Sequence, residues 1–352
     1  MQTSSSEPTP AVYALGFSLR KQRLLRAFLD GQALHFVTQL HDVPEGSELL
    51  VWGSMDVPRS GRYARLRRVE DGFVRSVGLG AAFARPSSWV FDERGIHYDA
   101  SRPSDLETIL QTSEFQPDLL ARAAALRERI VGARVTKYNL AGRSWHRPAG
   151  QKRVCLVLGQ VESDAALRFG APGIRSNVEL VRHVRASNPG AYLLYKPHPD
   201  VIGGLRDPGH AEYEAGQSCD EVVTDTDITE LFDRVDEFHV MTSLAGFEAL
   251  LRGKKVVTYG QPFYAGWGMT VDTFSIPRRT RRLTLDQLVA GALLLYPRYL
   301  SARTSRLTTP EAALDEIIRS RQASSKVASI RNMLGALAGR VLRALPSPSA
   351  SR

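Results

Sequence analysis

Residues 153–164 read RVCLVLGQVESD, an apolar run of strand length that ends at a glycine and is followed by acidic residues. A helical pattern over 176–187 and a second apolar run over 191–195 come next. The alternation continues with strand patterns at 237–241 and 256–259 and helical patterns at 228–233 and 244–251. Strands separated by helices form parallel sheets with crossover connections, so this half of the chain is predicted to be Rossmann-like.

The same alternation precedes residue 153. Strand patterns lie at 12–17, 34–37, 49–52 and 65–69, and helical patterns at 19–29, 106–110 and 117–131. A polar, breaker-rich stretch at 137–150 separates the two halves and is the candidate linker. The sequence therefore predicts an α/β protein in which two parallel, Rossmann-like domains face a cleft, with sites at the carboxyl ends of the strands.

Five segments follow from this pattern. They are a disordered leader at 1–10, an N-terminal domain at 11–147, a C-terminal domain at 148–275, helices at 276–322 that pack back on the core, and a basic amphipathic tail at 323–352. Apolar residues recur at helical spacing in the tail. Two interpretations of it stay open: a helix packed on its own protein, or a helix lying on an anionic membrane.

Composition limits the partners and the compartment. The chain has 352 residues, with 46 Lys and Arg against 37 Asp and Glu, a formal charge of +9 that favours an anionic partner. Its basic residues are scattered without interleaved aromatics, which argues against nucleic-acid binding. Two cysteines suit a reducing compartment, and neither a secretory signal nor an apolar run of spanning length is evident. These features predict a cytoplasmic protein, peripheral on the inner membrane if the tail binds lipid.

Two acidic segments are candidates for catalysis. Glu70-Asp71-Gly72-Phe73, with Arg75 after it, lies where a predicted strand ends. Gly159-Gln160-Val161-Glu162, with Asp164 after it, ends a strand of the other half. Carboxylates that face one cleft from two domains suit sugar chemistry, in which charge develops at the anomeric carbon. The alternatives are a surface Asp-Gly turn for the first segment and a helix cap by Asp164 for the second.

Two further segments are candidates for anion binding. Lys196-Pro197-His198-Pro199 holds a histidine between two prolines after a strand, where Lys196 and His198 can contact a phosphate. Thr242-Ser243 precedes a predicted helix, whose N-terminal amides attract anions. An ordinary loop histidine and a plain helix cap are the alternatives.

The least generic segment is 260–270, where three glycines and three aromatics, including Gly266 and Trp267, build a shaped loop that faces a sugar or base or packs internally. Other motifs are rejected. The G-x-G at 78–80 lacks the third glycine of a dinucleotide site, and no zinc spacing or P-loop occurs. Asp225-Thr226-Asp227 matches a metal-binding D-x-D, but Asp227 and Glu230 fit a capping box, so no metal is predicted.

Taken together, these segments resemble the capsule polysaccharide synthesis family of bacterial β-Kdo transferases, of the KpsC and KpsS type. The match covers about residues 12–300. Its elements are the runs 70–80, Tyr98-Asp99-Ala100, 103–107, 159–164, Lys196 to Pro199, Gly246 to Leu250, 260–272 and Tyr296-Pro297-Arg298-Tyr299. The larger family member carries two transferase modules, and this chain has the length of one.

The resemblance implies a GT-B fold and transfer of the acidic sugar Kdo from CMP-β-Kdo with retention, without metal or other cofactor. It assigns the acceptor to the N-terminal domain and the donor to the C-terminal domain. Asp164 is the expected nucleophile, and Glu70 or Asp71 the expected acid/base; a sialyltransferase-like mechanism would instead make Asp71 the base and require inversion. The expected substrate contacts are Lys196, His198, Pro199, Thr242, Ser243, Glu248, Gln160, Arg75, Gly266 and Trp267, with Arg168 and Arg175 as further basic candidates.

The expected acceptor is a glycolipid or oligosaccharide, and the expected wider partners are a membrane surface and a capsule synthesis and export complex. Two other functions stay open. One is a transferase that uses another CMP-activated acidic sugar, and the other is a non-catalytic scaffold of capsule synthesis or export.

Overall fold

The computed structural model describes residues 11–58, 61–77, 84–140, 142–151, 153–207 and 212–323. The predicted leader at 1–10, the G-x-G at 78–80 and the tail from residue 324 lie outside these described residues. None of the helices in the described part of the chain combines the length and the apolar character that a membrane span needs.

The N-terminal half forms most of a seven-stranded sheet. Its strands are β1 (Val12–Leu15), β2 (Leu34–Val37), β3 (Glu48–Trp52), β4 (Arg65–Asp71) and β5 (Ser88–Asp92). Its helices are α1 (Leu19–Phe28), a 3₁₀ turn (Leu40–Asp42), α2 (Asp105–Thr112) and α3 (Pro117–Gly132). Strands β2, β1, β3 and β4 are parallel, in that spatial order.

The C-terminal half forms a six-stranded sheet with the order β11-β10-β9-β6-β7-β8. Its strands are β6 (Val154–Leu158), β7 (Tyr192–Lys196), β8 (Glu221–Val222), β9 (Glu237–Val240), β10 (Lys255–Thr258) and β11 (Val271–Asp272). Its helices are α4 (Ala165–Gly170), α5 (Asn177–Ser187), α6 (Pro199–Ile202), α7 (Glu212–Gln217), α8 (Ile228–Arg234) and α9 (Leu244–Leu251). Every pair of neighbouring strands is parallel, as predicted.

The prediction of an all-parallel N-terminal sheet is wrong. Strand β5 runs antiparallel to β4, because the chain turns back after Asp71 rather than crossing over. The segment predicted as helices at 276–322 contains α10 (Leu285–Val289), a π-helical turn (Ala290–Leu295) and a helix at 310–323, but also β12 (Pro297–Leu300) and β13 (Leu307–Thr308). These two strands extend the N-terminal sheet beyond β5.

One apolar core joins the two halves. Phe73 and Leu106 from the first half pack in the same buried cluster as Phe247 and Phe263 from the second. Below it, Glu107 of α2 accepts hydrogen bonds from Arg278 and Arg279, and the Nε–Oε2 distance from Arg279 is 2.8 Å. These ion pairs fix residues 278–279 to the first domain. Together with the shared core they hold the two sheets so that the carboxyl ends of their strands face one cleft.

Candidate active site

A cleft of about 660 Å³ lies between the two sheets. It is bordered by the carboxyl ends of β4, β6, β7 and β9, where ligand sites of open α/β sheets are expected. The structure brings to this cleft eleven of the fifteen residues nominated above for catalysis or substrate binding: Glu70, Asp71, Arg75, Gln160, Asp164, Lys196, His198, Pro199, Thr242, Ser243 and Glu248.

The two acids at the end of β4 are held differently. Asp71 accepts a hydrogen bond from Arg75 Nε at 2.6 Å and another from Trp89 Nε1 at 3.0 Å, so both of its oxygens are engaged. Glu70 Oε1 accepts from the backbone N–H of Asp71, and Oε2 lies 3.5 Å from the Tyr98 hydroxyl. Burial and the nearby charge of Asp71 raise the pKa of Glu70 to about 7. Glu70 is therefore suited to exchange a proton near neutral pH, whereas Asp71 is fixed by an ion pair.

The end of β7 supplies a histidine and a lysine. His198 caps α6, and its Nδ1 accepts from the backbone N–H of Asp200 at 3.1 Å. Burial lowers the pKa of His198 to about 4, so the ring is neutral at pH 7 and carries its proton on Nε2. Lys196 Nζ donates to the carbonyl oxygen of Thr226 at 2.8 Å, and burial lowers its pKa as well. His198 can therefore donate one hydrogen bond to a ligand, and Lys196 can add positive charge.

The end of β9 presents a helix N-terminus to the cleft. Ser243 is the N-cap of α9, and its hydroxyl accepts from the backbone N–H of Ala245. Thr242 is positioned by Gln160, whose amide oxygen accepts from Thr242 N at 2.7 Å while its Nε2 donates to the Thr242 hydroxyl at 3.0 Å. Both the cap interpretation and the anion-site interpretation fit this geometry, since one hydroxyl group can cap the helix beside a bound anion.

Asp164 and Glu162 separate in the structure. Asp164 lines the cleft as the exposed N-cap of α4, with Oδ1 3.3 Å from Ala166 N. Glu162 does not line it, because its carboxylate accepts from the backbone N–H of Asn177 at 2.7 Å and holds the start of α5. The prediction that Glu162 faces the cleft is therefore wrong. Asp227 caps α8, as predicted, and the 225–227 segment also borders the cleft. The predicted capping box is not formed, because the Glu230 carboxylate accepts from Arg134 and the backbone N–H of Asp227 donates to the carbonyl oxygen of Arg143.

Gly266 and Trp267 are absent from the cleft lining within the described residues. Trp267 is fully buried, and its indole Nε1 donates to the carbonyl oxygen of Phe263 at 2.8 Å. Gly266 has a φ of 81° and donates its N–H to Asp272. At Gly266 and Trp267 the 260–270 loop therefore packs internally, which was the alternative to its facing a sugar or base. Arg168 and Arg175 are also outside the lining, and Arg175 donates to the carbonyl oxygen of Ala171.

Sequence reasoning missed several cleft residues. Lys137 was assigned to the linker, yet it lines the cleft, and its backbone N–H donates to Glu248 Oε1 at 2.5 Å. Burial raises the pKa of Glu248 to about 7. Lys21 of α1 also lines the cleft, with Nζ 3.4 Å from the centre of the Trp52 ring. These residues come from a loop and a helix start, where no local pattern points to a site.

Away from the cleft, Cys155, Glu237 and His239 place one potential metal-binding atom each within 4.8 Å of one another. They lie on β6 and β9, too far apart in the sequence for their spacing to reveal them. Glu237 Oε2 accepts from Arg153 at 2.7 Å and from Lys255 at 3.0 Å. Two partly exposed cations therefore already neutralise the buried carboxylate of Glu237.

The chain is similar in sequence and in fold to known proteins. Residues 60–300 match the profile of a family described as capsule polysaccharide biosynthesis protein. The capsule polysaccharide modification protein LipA of Neisseria meningitidis serogroup A is 41% identical over 320 residues, which cover 88% of this chain and 45% of LipA. The chain thus spans about half the length of this relative.

Two solved structures are similar over almost their whole length. The β-Kdo 2,7 transferase of Thermosulfurimonas dismutans KpsC matches with a TM-score of 0.75 and 38% identity, covering 88% of this chain and 99% of that chain. The β-Kdo 2,4 transferase of the same KpsC matches with a TM-score of 0.76 and 32% identity, covering 89% and 99%. These matches confirm the expected GT-B-like α/β fold.

Proposed function

Because the chain belongs to the capsule polysaccharide biosynthesis protein family, we propose that it is a glycosyltransferase that transfers Kdo from CMP-β-Kdo to a glycolipid or Kdo acceptor with retention. The observation that carries the proposal is the single cleft. It collects Glu70 and Asp71 from the first sheet, and Asp164, His198 and the α9 N-terminus from the second.

The donor phosphate binds at the ends of β7 and β9. His198 donates a hydrogen bond from Nε2, Lys196 supplies positive charge, and the N-terminus of α9 at Thr242 and Ser243 adds its dipole. These groups stabilise the negative charge that develops on the departing phosphate, so no metal ion is needed to neutralise it. The reaction is therefore proposed to need no cofactor besides the donor.

Retention requires two displacements at the anomeric carbon. In the first, an Asp164 oxygen forms a bond to that carbon while the bond to the CMP phosphate breaks, and CMP leaves with the electron pair. In the second, the acceptor hydroxyl oxygen attacks the same carbon, Glu70 takes its proton, and the Asp164 carboxylate is released. Glu70 is chosen over Asp71 because Asp71 is engaged by Arg75 and Trp89.

The wider partners are part of the same proposal. The solved relatives are a 2,7 and a 2,4 transferase, and the proposal covers either linkage. A capsule pathway supplies a membrane-borne glycolipid acceptor, so the protein is proposed to work at the cytoplasmic face of the inner membrane, beside capsule synthesis and export components.

The test is a transfer assay with matched donors. Purified protein is incubated with CMP-Kdo generated in situ and a short synthetic Kdo-lipid acceptor, and the products are read by mass spectrometry. A gain of one Kdo on the acceptor supports the proposal, while transfer from another CMP-activated acidic sugar alone would support that other donor. If the folded protein neither turns over nor binds any CMP-sugar, the enzyme proposal fails and a scaffold role replaces it.

A further inference from the structure

Lys137 is presented to the cleft by a tightly built turn. The turn joins α3 to the C-terminal half, and buried Asn139 stabilises it: Asn139 Oδ1 accepts from Thr136 N at 3.0 Å, and Nδ2 donates to the carbonyl oxygens of Ser76 and Thr136. Asn139 has a φ of 53°, in the left-handed region that few residues other than glycine and asparagine adopt readily. The Glu248 carboxylate also accepts a hydrogen bond from the backbone N–H of Lys137. The backbone of the turn is therefore held at Lys137 as well as at Asn139.

The cations that line the cleft differ in how their charge is engaged. Arg75 is paired with Asp71, Lys196 donates to a backbone carbonyl, and Lys21 lies against the Trp52 ring. Lys137 makes no ion pair with any described residue, and neither does Lys21 or Arg206. Lys137 Nζ donates a hydrogen bond to the Tyr138 hydroxyl and lies 5.0 Å from the centre of the Tyr138 ring. That ring lies 6.2 Å from the His198 ring.

The charges that surround Lys137 define the ligand it suits. Three acids from the two halves of the chain interact electrostatically with Lys137, namely Glu70, Asp164 and Glu248. An anionic sugar that enters among these carboxylates is repelled by them, and a fixed cation at this point offsets the repulsion.

We propose that Lys137 forms a second anion subsite, distinct from the phosphate site at Lys196 and His198, which holds the carboxylate of the donor sugar. The inference rests on the proposed function, since a CMP-activated acidic sugar carries two anionic groups, a phosphodiester and a sugar carboxylate. The groups nominated for the phosphate lie at the ends of β7 and β9, whereas Lys137 extends from the turn between the domains. The two anionic groups of the donor would thus each meet a different lysine, Lys196 at the phosphate and Lys137 at the carboxylate.

The test compares ligands that carry one or both anions. Equilibrium binding is measured by calorimetry for CMP, for a non-transferable analogue of CMP-Kdo, and for the same analogue with its carboxylate reduced to a hydroxymethyl group. Lys137→Met is expected to bind CMP within about twofold of the wild type and the acidic analogue about 10- to 100-fold more weakly, the range of one charge-assisted contact. For the reduced analogue the difference between the two proteins is expected to disappear.

Two further variants complete the design. Lys137→Arg keeps the charge and is expected to recover part of the lost affinity, whereas Lys196→Met is expected to weaken CMP itself. Retained CMP binding also shows that Lys137→Met has folded. The inference is overturned if Lys137→Met weakens CMP and the acidic analogue equally, or if it leaves the acidic analogue unaffected. A wild-type protein that binds no CMP overturns the proposed function together with this inference.

Discussion

Substituting Glu70 by Gln tests the acid/base assignment through two independent quantities. The amide keeps the size of the side chain and an oxygen that can accept from Asp71 N, but it neither ionises nor takes a proton. Since a base at this position must be ionised, wild-type transfer should rise with pH through about 7, following the raised pKa of Glu70. Transfer by Glu70→Gln should be lower by about 10²- to 10⁴-fold, and this pH dependence should be absent.

The same substitution should stabilise the fold at alkaline pH. The pKa of Glu70 rises from 4.5 to about 7 on folding, so ionisation of this buried group opposes folding. This cost is absent below the unfolded-state pKa, grows as the pH rises from about 4.5 to about 7, and stays constant above that. It reaches about 3 kcal/mol when each pKa unit contributes about 1.4 kcal/mol.

Denaturant unfolding at pH 5 and pH 8 measures this difference, and Glu45→Gln, at an exposed position, is the matched control. Glu70→Gln should gain stability relative to the wild type mainly at pH 8, and the control should change neither stability nor transfer. Full transfer activity in Glu70→Gln, or the same stability difference at both pH values, would refute the reasoning.

Three other substitutions probe the frame and the site. Glu107→Ala should lower the free energy of unfolding by about 3–5 kcal/mol, because it leaves the buried guanidinium of Arg279 without its carboxylate; chemical denaturation measures this. Gly159→Ala places a Cβ 2.6 Å from the hydroxyl of buried Tyr195, at the donor side of the cleft, so calorimetry should show weaker CMP binding. The control Gly190→Ala places its Cβ more than 4 Å from any described residue beyond its two chain neighbours and should bind CMP normally. Asp164→Asn should abolish transfer and leave CMP affinity within about threefold; unchanged transfer would remove Asp164 as nucleophile.

The sequence predicted the strand and helix alternation because those signals are local. Apolar runs that end at glycine or at a polar turn mark β6 and β9, and the acids, histidine and hydroxyls that follow such runs reach the cleft. Helix caps were also predictable, since Asp227 and Ser243 are the small polar residues that precede a helical pattern.

Long-range pairing was not predictable from local patterns. Strand β12 pairs with β5 although about 200 residues separate them, and no periodicity within either strand reveals its partner. Lys137 and Lys21 reach the cleft from segments whose local sequence predicts only a linker and a basic helix. Trp267 shows the opposite error, because glycines and aromatics in one loop are equally typical of a binding loop and of a packed core turn.

The anomeric configuration of the transferred sugar distinguishes a mechanism with two displacements from one with a single displacement. Proton and carbon NMR of the product formed from CMP-β-Kdo and a synthetic acceptor assigns it. A β-linked product is expected, since two displacements, through Asp164 and then the acceptor hydroxyl, restore the configuration of the donor. An α-linked product would contradict this expectation, because a single displacement needs only one base and no carboxylate nucleophile in the cleft.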